Sequence, residues 1–266
     1  GARPNESRPD LPFNAECDAL AKELDPTRPT HGVRVEYDYE GGDNDPVLND
    51  IFTINYRYPE NPRYMPYIVT EHSNDWFSGA GVQGTADVNA LRFIDSFASV
   101  LDYYYGNDKV AGGFGWSMFD YNNEVNYTNT GYLFYSGLYD IFRHDKPVAH
   151  LYKSQMDPDR TGPMVYIANN WTQDTTNYIY VMSNCDEIEL FVNGISKGRI
   201  TPNKYMNMPH PIFEFTNIQY EEGQLKAVGY IDGLPVSEYV RETPGEAVRL
   251  IATADYNTLT ADGTDM

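Results

Sequence analysis

The sequence predicts an α/β part followed by an all-β part, an antiparallel sandwich, and three observations carry that expectation. Up to about residue 155, short apolar runs alternate with apolar stripes at helical spacing, the pattern of parallel βα units. From Met164 onward the runs are strand-length and are joined by Asn193-Gly194 and Asp232-Gly233, residues that tolerate positive φ and suit tight hairpins. Between the two regions, Thr161-Gly162-Pro163 reads as a hinge.

The elements follow in order. Cys17, Leu20, Ala21 and Leu24 recur at helical spacing, so a helix is expected over Asn14 to Leu24 with Asn14 as its N-cap. The runs Val33 to Tyr37, Ile51 to Tyr56 and Tyr67 to Thr70 read as short strands. Asp87 can open a long helix through Tyr105, with Val88, Leu91, Ile94, Ala98 and Leu101 on one stripe and Gly106 as its stop. Val110 to Phe119 reads as a buried strand, and Lys146-Pro147 opens a last helix, with proline where a missing N–H does no harm. In the second part, Met164 to Ala168, Tyr178 to Met182, Glu187 to Val192, Leu225 to Ile231 and Leu234 to Val240 read as strands. Alternation along Glu187 to Val192 turns Ile188, Leu190 and Val192 inward. The sandwich is expected to close near Ala252-Thr253, with Leu259 to Gly263 opening another module.

Composition narrows the function. Lys+Arg number 19 against 39 Asp+Glu, a formal charge of −20, which repels phosphate backbones and anionic lipid and argues against nucleic-acid and membrane-surface roles. No run approaches the roughly 18 apolar residues of a membrane span. The 23 tyrosines suit both strands and wet, sugar-lined clefts. Cys17 and Cys185 are too few and too far apart for a disulfide framework, and no metal-ligand spacing occurs, so no metal and no cofactor are expected. Gly113-Phe114-Gly115 lacks the third glycine of a dinucleotide fingerprint, and Ser73 beside His72 lacks a nucleophile-elbow context. Asn170-Trp171-Thr172 is a glycosylation sequon by pattern, and His31, His144, His150 and His210 read as ordinary histidines.

Two carboxylates stand out by position: Glu6, after Asn5, just before the first helix, and Glu71, directly after the apolar run that ends at Thr70. Residues at the carboxyl ends of strands in a parallel barrel face its active site. Two carboxylates brought together there can divide acid/base and nucleophile duties between them. Taken singly, each also fits a solvated loop position, since most of the 39 acidic residues coat the surface.

Ordered motifs add to this. Asp25-Pro26-Thr27-Arg28-Pro29-Thr30, then Thr70-Glu71-His72, then Gly112-Gly113-Phe114-Gly115-Trp116 resemble, in that order, segments of glycoside hydrolase family 2, the β-galactosidase and β-glucuronidase group. Gly137 to Arg143 with Lys146-Pro147 and Tyr152 to Gln155 resembles that family's eighth barrel unit. Ser183 to Gly194 is similar to the immunoglobulin-like domain that follows the barrel in many members. The resemblance implies the C-terminal half of a (β/α)8 barrel over residues 1–160, an immunoglobulin-like sandwich over 161–253 and the start of a further module over 254–266. Both ends read as cuts within a longer protein, so the missing N-terminal half of the same protein is expected as a partner, and the chain by itself is expected to be poorly stable and inactive.

By the same resemblance Glu6 is the general acid/base and Asn5 a ligand of the sugar 2-hydroxyl. Glu71 is the nucleophile, and Trp116 is the platform beneath the sugar, although core packing also fits it. Tyr56 steadies the nucleophile, with Tyr58 close enough to leave the choice open, and His72 joins the substrate-binding residues. The implied activity is a retaining exo-β-galactosidase, periplasmic or secreted. Phe119-Asp120-Tyr121-Asn122 and Tyr139 to Arg143 look nearest to enzymes of agar- or porphyran-type galactan oligosaccharides. A β-glucuronidase, a β-mannosidase and a non-catalytic carbohydrate-binding relic are the alternatives.

Overall fold

A computed structural model describes residues 10–34, 49–62, 64–73, 87–123, 132–249, 251, 253 and 258. The first part begins with α1 (Asp10–Leu24), β1 (His31–Arg34), β2 (Ile51–Asn55), β3 (Tyr67–His72), α2 (Asp87–Tyr105) and β4 (Val110–Gly115). The four strands form one parallel sheet in chain order, β1-β2-β3-β4. Their carboxyl ends therefore lie side by side along one edge.

Phe52, Ile54, Tyr67, Val69 and Val110 bury one face of this sheet together with Tyr103 and Tyr104 of α2. Helix α2 spans the residues its stripe predicts, with Val88 as the exception: it is 45% exposed, and Phe97 joins the core instead. Helix α1 begins four residues ahead of Asn14, which therefore lies inside the helix rather than capping it. The β2–β3 connection carries no helix among its described residues, a departure from regular βα alternation. Pro59, Pro62 and Pro66 within eleven residues explain it.

A short ribbon, β5 (Tyr121–Asn122) with β6 (Leu133–Phe134), follows β4, and then come α3 (Pro147–Ser154) and α4 (Pro158–Thr161). Pro147 occupies the first turn of α3, as expected. The second part contains β7 (Val165–Ile167), β8 (Tyr178–Ser183), β9 (Glu187–Val192), β10 (Ile195–Ile200), β11 (Phe213–Thr216), β12 (Gln224–Ile231) and β13 (Leu234–Glu242). They make two antiparallel sheets, β11-β8-β7 and β10-β9-β12-β13. Asn193 and Gly194 turn β9 into β10 with φ of 50° and 79°, the left-handed pair a tight hairpin requires. Among the described residues the last strand ends at Glu242, and Ala252 lies outside them.

Ile167, Ile179, Val181, Phe213 and Phe215 from one sheet meet Ile188, Leu190, Val192, Leu225 and Ala227 from the other. Trp171 closes this core and donates its indole N–H to the Glu221 carbonyl at 2.9 Å. Strand β8 is buried on both faces. Its Tyr180 and Met182 face away from the sandwich interior and share a core with Leu91, Ile94, Phe97 and Leu101 of α2 and Val148 and Leu151 of α3. The corner at Gly162 is held by Asn184, which donates to the Met156 and Gly162 carbonyls, both at 3.1 Å. The expected hinge is thus a fixed corner between parts that share a core.

Polar bonds reinforce the junction on the outer side of α2. Asp95 accepts from the Tyr205 hydroxyl at 2.9 Å and the Tyr180 hydroxyl at 3.2 Å, and Asp102 accepts from the Asn207 backbone N–H at 2.7 Å. Asp95→Ala leaves the Tyr180 hydroxyl, on a ring 2% exposed, without its acceptor. It is expected to cost about 1–3 kcal/mol, read as a lower urea midpoint at unchanged slope.

Candidate active site

The edge formed by the carboxyl ends of β2, β3 and β4 gathers the polar groups. Strict alternation along β3 would send Glu71 to the same side as Tyr67 and Val69, into the apolar layer under α2. The register prevents this. Against β2, Ile54 pairs with Val69 but Asn55 with Glu71; against β4, Val69 pairs with Gly113 but His72 with Gly115. One extra residue, at Thr70, is thereby inserted into β3 relative to both neighbours. A bulge of this kind re-aims the side chains that follow it. Thr70 and Glu71 are both half-buried, and His72 returns to the covered side.

Glu71 is held through both carboxylate oxygens. Its Oε1 accepts from the Tyr56 hydroxyl, and its Oε2 accepts from Asn55 Nδ2 at 2.9 Å. The Thr70 hydroxyl donates to Asn55 Oδ1 at 2.9 Å, which fixes which way the Asn55 amide faces. The Tyr56 backbone N–H donates to the Glu71 carbonyl at 2.9 Å, with Tyr56 at φ 55°. Burial pushes the Glu71 carboxyl above the ordinary range, and the bond from Asn55 opposes that rise. A half-desolvated carboxylate clamped in one orientation is suited to act as a nucleophile or a base.

Of the two tyrosines left open, Tyr56 makes the bond to Glu71, whereas Tyr58 packs edge-on against Tyr103. Trp116 follows β4 directly, and its backbone N–H donates to the His72 carbonyl at 2.9 Å, so it stands beside the end of β3. Its side chain is 38% exposed, which rules out core packing, and its indole N–H donates to the Tyr121 hydroxyl at 3.0 Å. With that N–H occupied, the open part of the ring offers an apolar face.

His72 is the correction. Its ring is fully buried, edge-on to Phe97 at 5.8 Å and Tyr104 at 6.1 Å, on the α2 side of β3. The bulge that brings Glu71 out takes the next side chain in, so His72 does not line the site. Asn5 and Glu6 lie outside the described residues. The sequence reading missed Asn55, Thr70 and Tyr121. Asn55-Tyr56 closing an apolar run was the available signal for the first. Among the described residues no group of three His, Cys, Asp or Glu side chains gathers to hold a metal, and no helix is long and apolar enough to cross a membrane.

Comparison with known proteins bears on this arrangement. Residues 174–237 match the model of a domain of unknown function, DUF4982. A β-galactosidase of Thermoanaerobacter pseudethanolicus is 34% identical over 289 residues, covering all of this chain and 37% of that protein. A putative β-glucuronidase of Formosa agariphila is 36% identical over 135 residues, 48% of this chain and 12% of that protein. The fold is similar to that of a glycosyl hydrolase family 2 member from Bacteroides cellulosilyticus, with a TM-score of 0.62 and 22% identity over 97% of this chain and 34% of the other. The chain thus spans little more than a third of the length of the T. pseudethanolicus relative. The chain is thus similar along its whole length to a curated β-galactosidase, and its fold is similar to that of a glycoside hydrolase family 2 member.

Proposed function

We propose that this chain carries the nucleophile side of a retaining, exo-acting glycoside hydrolase, a β-galactosidase of galactan oligosaccharides. In this reading β1 to β4 are the last four strands of a (β/α)8 barrel within residues 1–160. Residues 161–253 are the immunoglobulin-like domain that follows it, and 254–266 open a further module. The unreversed strand order and the one-sided packing of the parallel sheet support the barrel reading. The remaining strands would come from the rest of the protein.

The observation that carries the proposal is the Glu71 carboxylate, clamped by Tyr56 and Asn55 at the carboxyl end of β3 beside Trp116. In the first step a Glu71 oxygen bonds to the anomeric carbon. The glycosidic C–O bond breaks, and the leaving oxygen takes the proton of Glu6. In the second step water gives a proton to Glu6, its oxygen bonds to the anomeric carbon, and the Glu71 ester bond breaks. A retaining pair sits about 5–5.5 Å apart. Trp116 offers its apolar face to the sugar ring, and Asn5 bonds the 2-hydroxyl.

A neutral galactan oligosaccharide ranks above a sulfated one, because a chain of net charge −20 slows the approach of a polyanion. The β-glucuronidase reading is kept by the resemblance to the F. agariphila protein over nearly half the chain. One experiment serves both. The whole protein is incubated with β-galactosides, β-glucuronides and β-mannosides, products are sized, and the first-formed anomer is read by NMR. Release of single galactose units as the β-anomer is expected. An inverted anomer overturns the two-glutamate mechanism, whereas glucuronic acid, mannose or internal cleavage overturns the substrate alone.

A further inference from the structure

We propose that His72 is a positioning residue for Glu71, anchoring the bulged end of β3 to α2 through Ser73 so that the nucleophile keeps its aim. The proposal rests on the reading of Glu71 as the nucleophile. It comes from how the strand end is pinned. The Glu71 carbonyl is taken by the Tyr56 N–H and the His72 carbonyl by the Trp116 N–H, both at 2.9 Å. These bonds hold the backbone sideways, to β2 and β4. With the bond from the Thr70 hydroxyl to Asn55 they tie the strand end to its neighbouring strands, and none of them reaches α2.

The His72 ring supplies the tie to α2. Its Nδ1 lies 2.6 Å from Ser73 Oγ, and the Ser73 hydroxyl donates to the Ser96 carbonyl of α2 at 3.0 Å. When the hydroxyl gives its single proton to Ser96, His72 Nδ1 carries the hydrogen of the shorter bond, and His72 Nε2 is buried without a partner among the described residues. Burial lowers the pKa of the imidazole to about 4, so it stays neutral through the ordinary working range. Ser73 itself sits at φ 62°, a conformation that a residue other than glycine keeps when its surroundings impose it.

The packing around the ring is close. A Cβ on Gly113 would lie 3.2 Å from His72 Cδ2 and 3.1 Å from the Tyr104 ring, and one on Gly115 would lie 2.7 Å from the Phe97 ring. Glycines in β4 thus make room for the histidine and its aromatic neighbours. His72 directly follows Glu71, so the backbone that the ring and Ser73 anchor is the backbone that carries the carboxylate.

The test compares His72→Phe and Ser73→Ala in the whole protein. Phenylalanine keeps the aromatic packing and removes the bond; alanine keeps the imidazole and cuts the link to α2. Both are expected to lower kcat about 10- to 100-fold through misplacement of the attacking oxygen, with KM little changed. Both should also move the acidic limb of kcat/KM to higher pH, because Tyr56 and Asn55 then align less well with the Glu71 anion. Activity that falls only with the folded fraction, with the acidic limb in place, overturns the proposal. Should His72→Phe fail to fold, a wild-type profile for Ser73→Ala overturns it equally. Failure of the underlying reading looks different: Glu71→Gln would then keep its activity.

Discussion

Glu71→Gln in the whole protein is expected to lower turnover by a factor on the order of 10⁴ to 10⁶, even for aryl glycosides with good leaving groups. The amide cannot form the glycosyl ester, and no leaving group compensates for an absent nucleophile. Glutamine also sets an NH₂ against one of the two donors, Tyr56 or Asn55, that now face carboxylate oxygens. The melting temperature is therefore measured alongside, so that misfolding and lost chemistry separate. Glu6→Gln is expected to behave differently. Loss of the general acid costs about 10²- to 10⁴-fold on poor leaving groups and far less on activated aryl glycosides. Azide, which needs no general base, should rescue its second step as the β-glycosyl azide. Equal losses in the two variants on activated substrate, without azide rescue, would sink the division of roles.

The second large effect is on stability. Lys146, capping α3, donates from Nζ to Asp120 Oδ1 at 2.6 Å and to the Tyr135 carbonyl at 3.1 Å, and the Gly137 N–H also reaches Asp120 Oδ1 at 2.8 Å. Both side chains are nearly closed off from water. Burial pushes Asp120 up and Lys146 down, toward their neutral forms, and their mutual attraction opposes this. Lys146→Met leaves the Asp120 carboxylate buried without its cation and is expected to cost about 3–5 kcal/mol at neutral pH. The sign of its pH dependence follows. Without Lys146 the folded-state pKa of Asp120 rises further above its unfolded value, so the native state holds the extra proton between the two. Stability of the variant should therefore recover as pH falls through that window and decline as pH rises. Adding Asp120→Asn should restore much of the loss, since both charges are then gone. Urea denaturation of the parent and the two variants from acid to neutral pH checks this, and a Lys146→Met protein as stable as the parent would show that the pair is dispensable. The segment concerned carries Tyr121, the partner of the Trp116 indole N–H, so the same variants should also weaken substrate binding.

Much of the architecture was legible because it depends on local pattern. Helix α2 has the bounds its stripe implies, β9 alternates as read, and Asn193-Gly194 and Asp232-Gly233 both turn hairpins with positive φ. What escaped lacked a local signal. Strand β11 is four residues long and follows a polar, proline-containing stretch. The burial of β8 on both faces depends on α2 and α3, which arrive from far along the chain. The Asp120–Lys146 pair spans 26 positions and has no periodicity to betray it.

The candidate site divides along the same line. The sequence by itself determined that a carboxylate, Glu71, ends an apolar strand, that a tyrosine pair follows the strand before it, and that a tryptophan closes the glycine-rich strand after it. Those are properties of composition and order. Only the tertiary structure decided that Tyr56 rather than Tyr58 reaches Glu71, and that His72 turns inward. A strand has period two, so one inserted residue exchanges its faces, and whether a residue is inserted is a matter of register against neighbours. At Thr70 both neighbours run one residue shorter than β3, and that difference sends Glu71 to the open edge and His72 beneath α2.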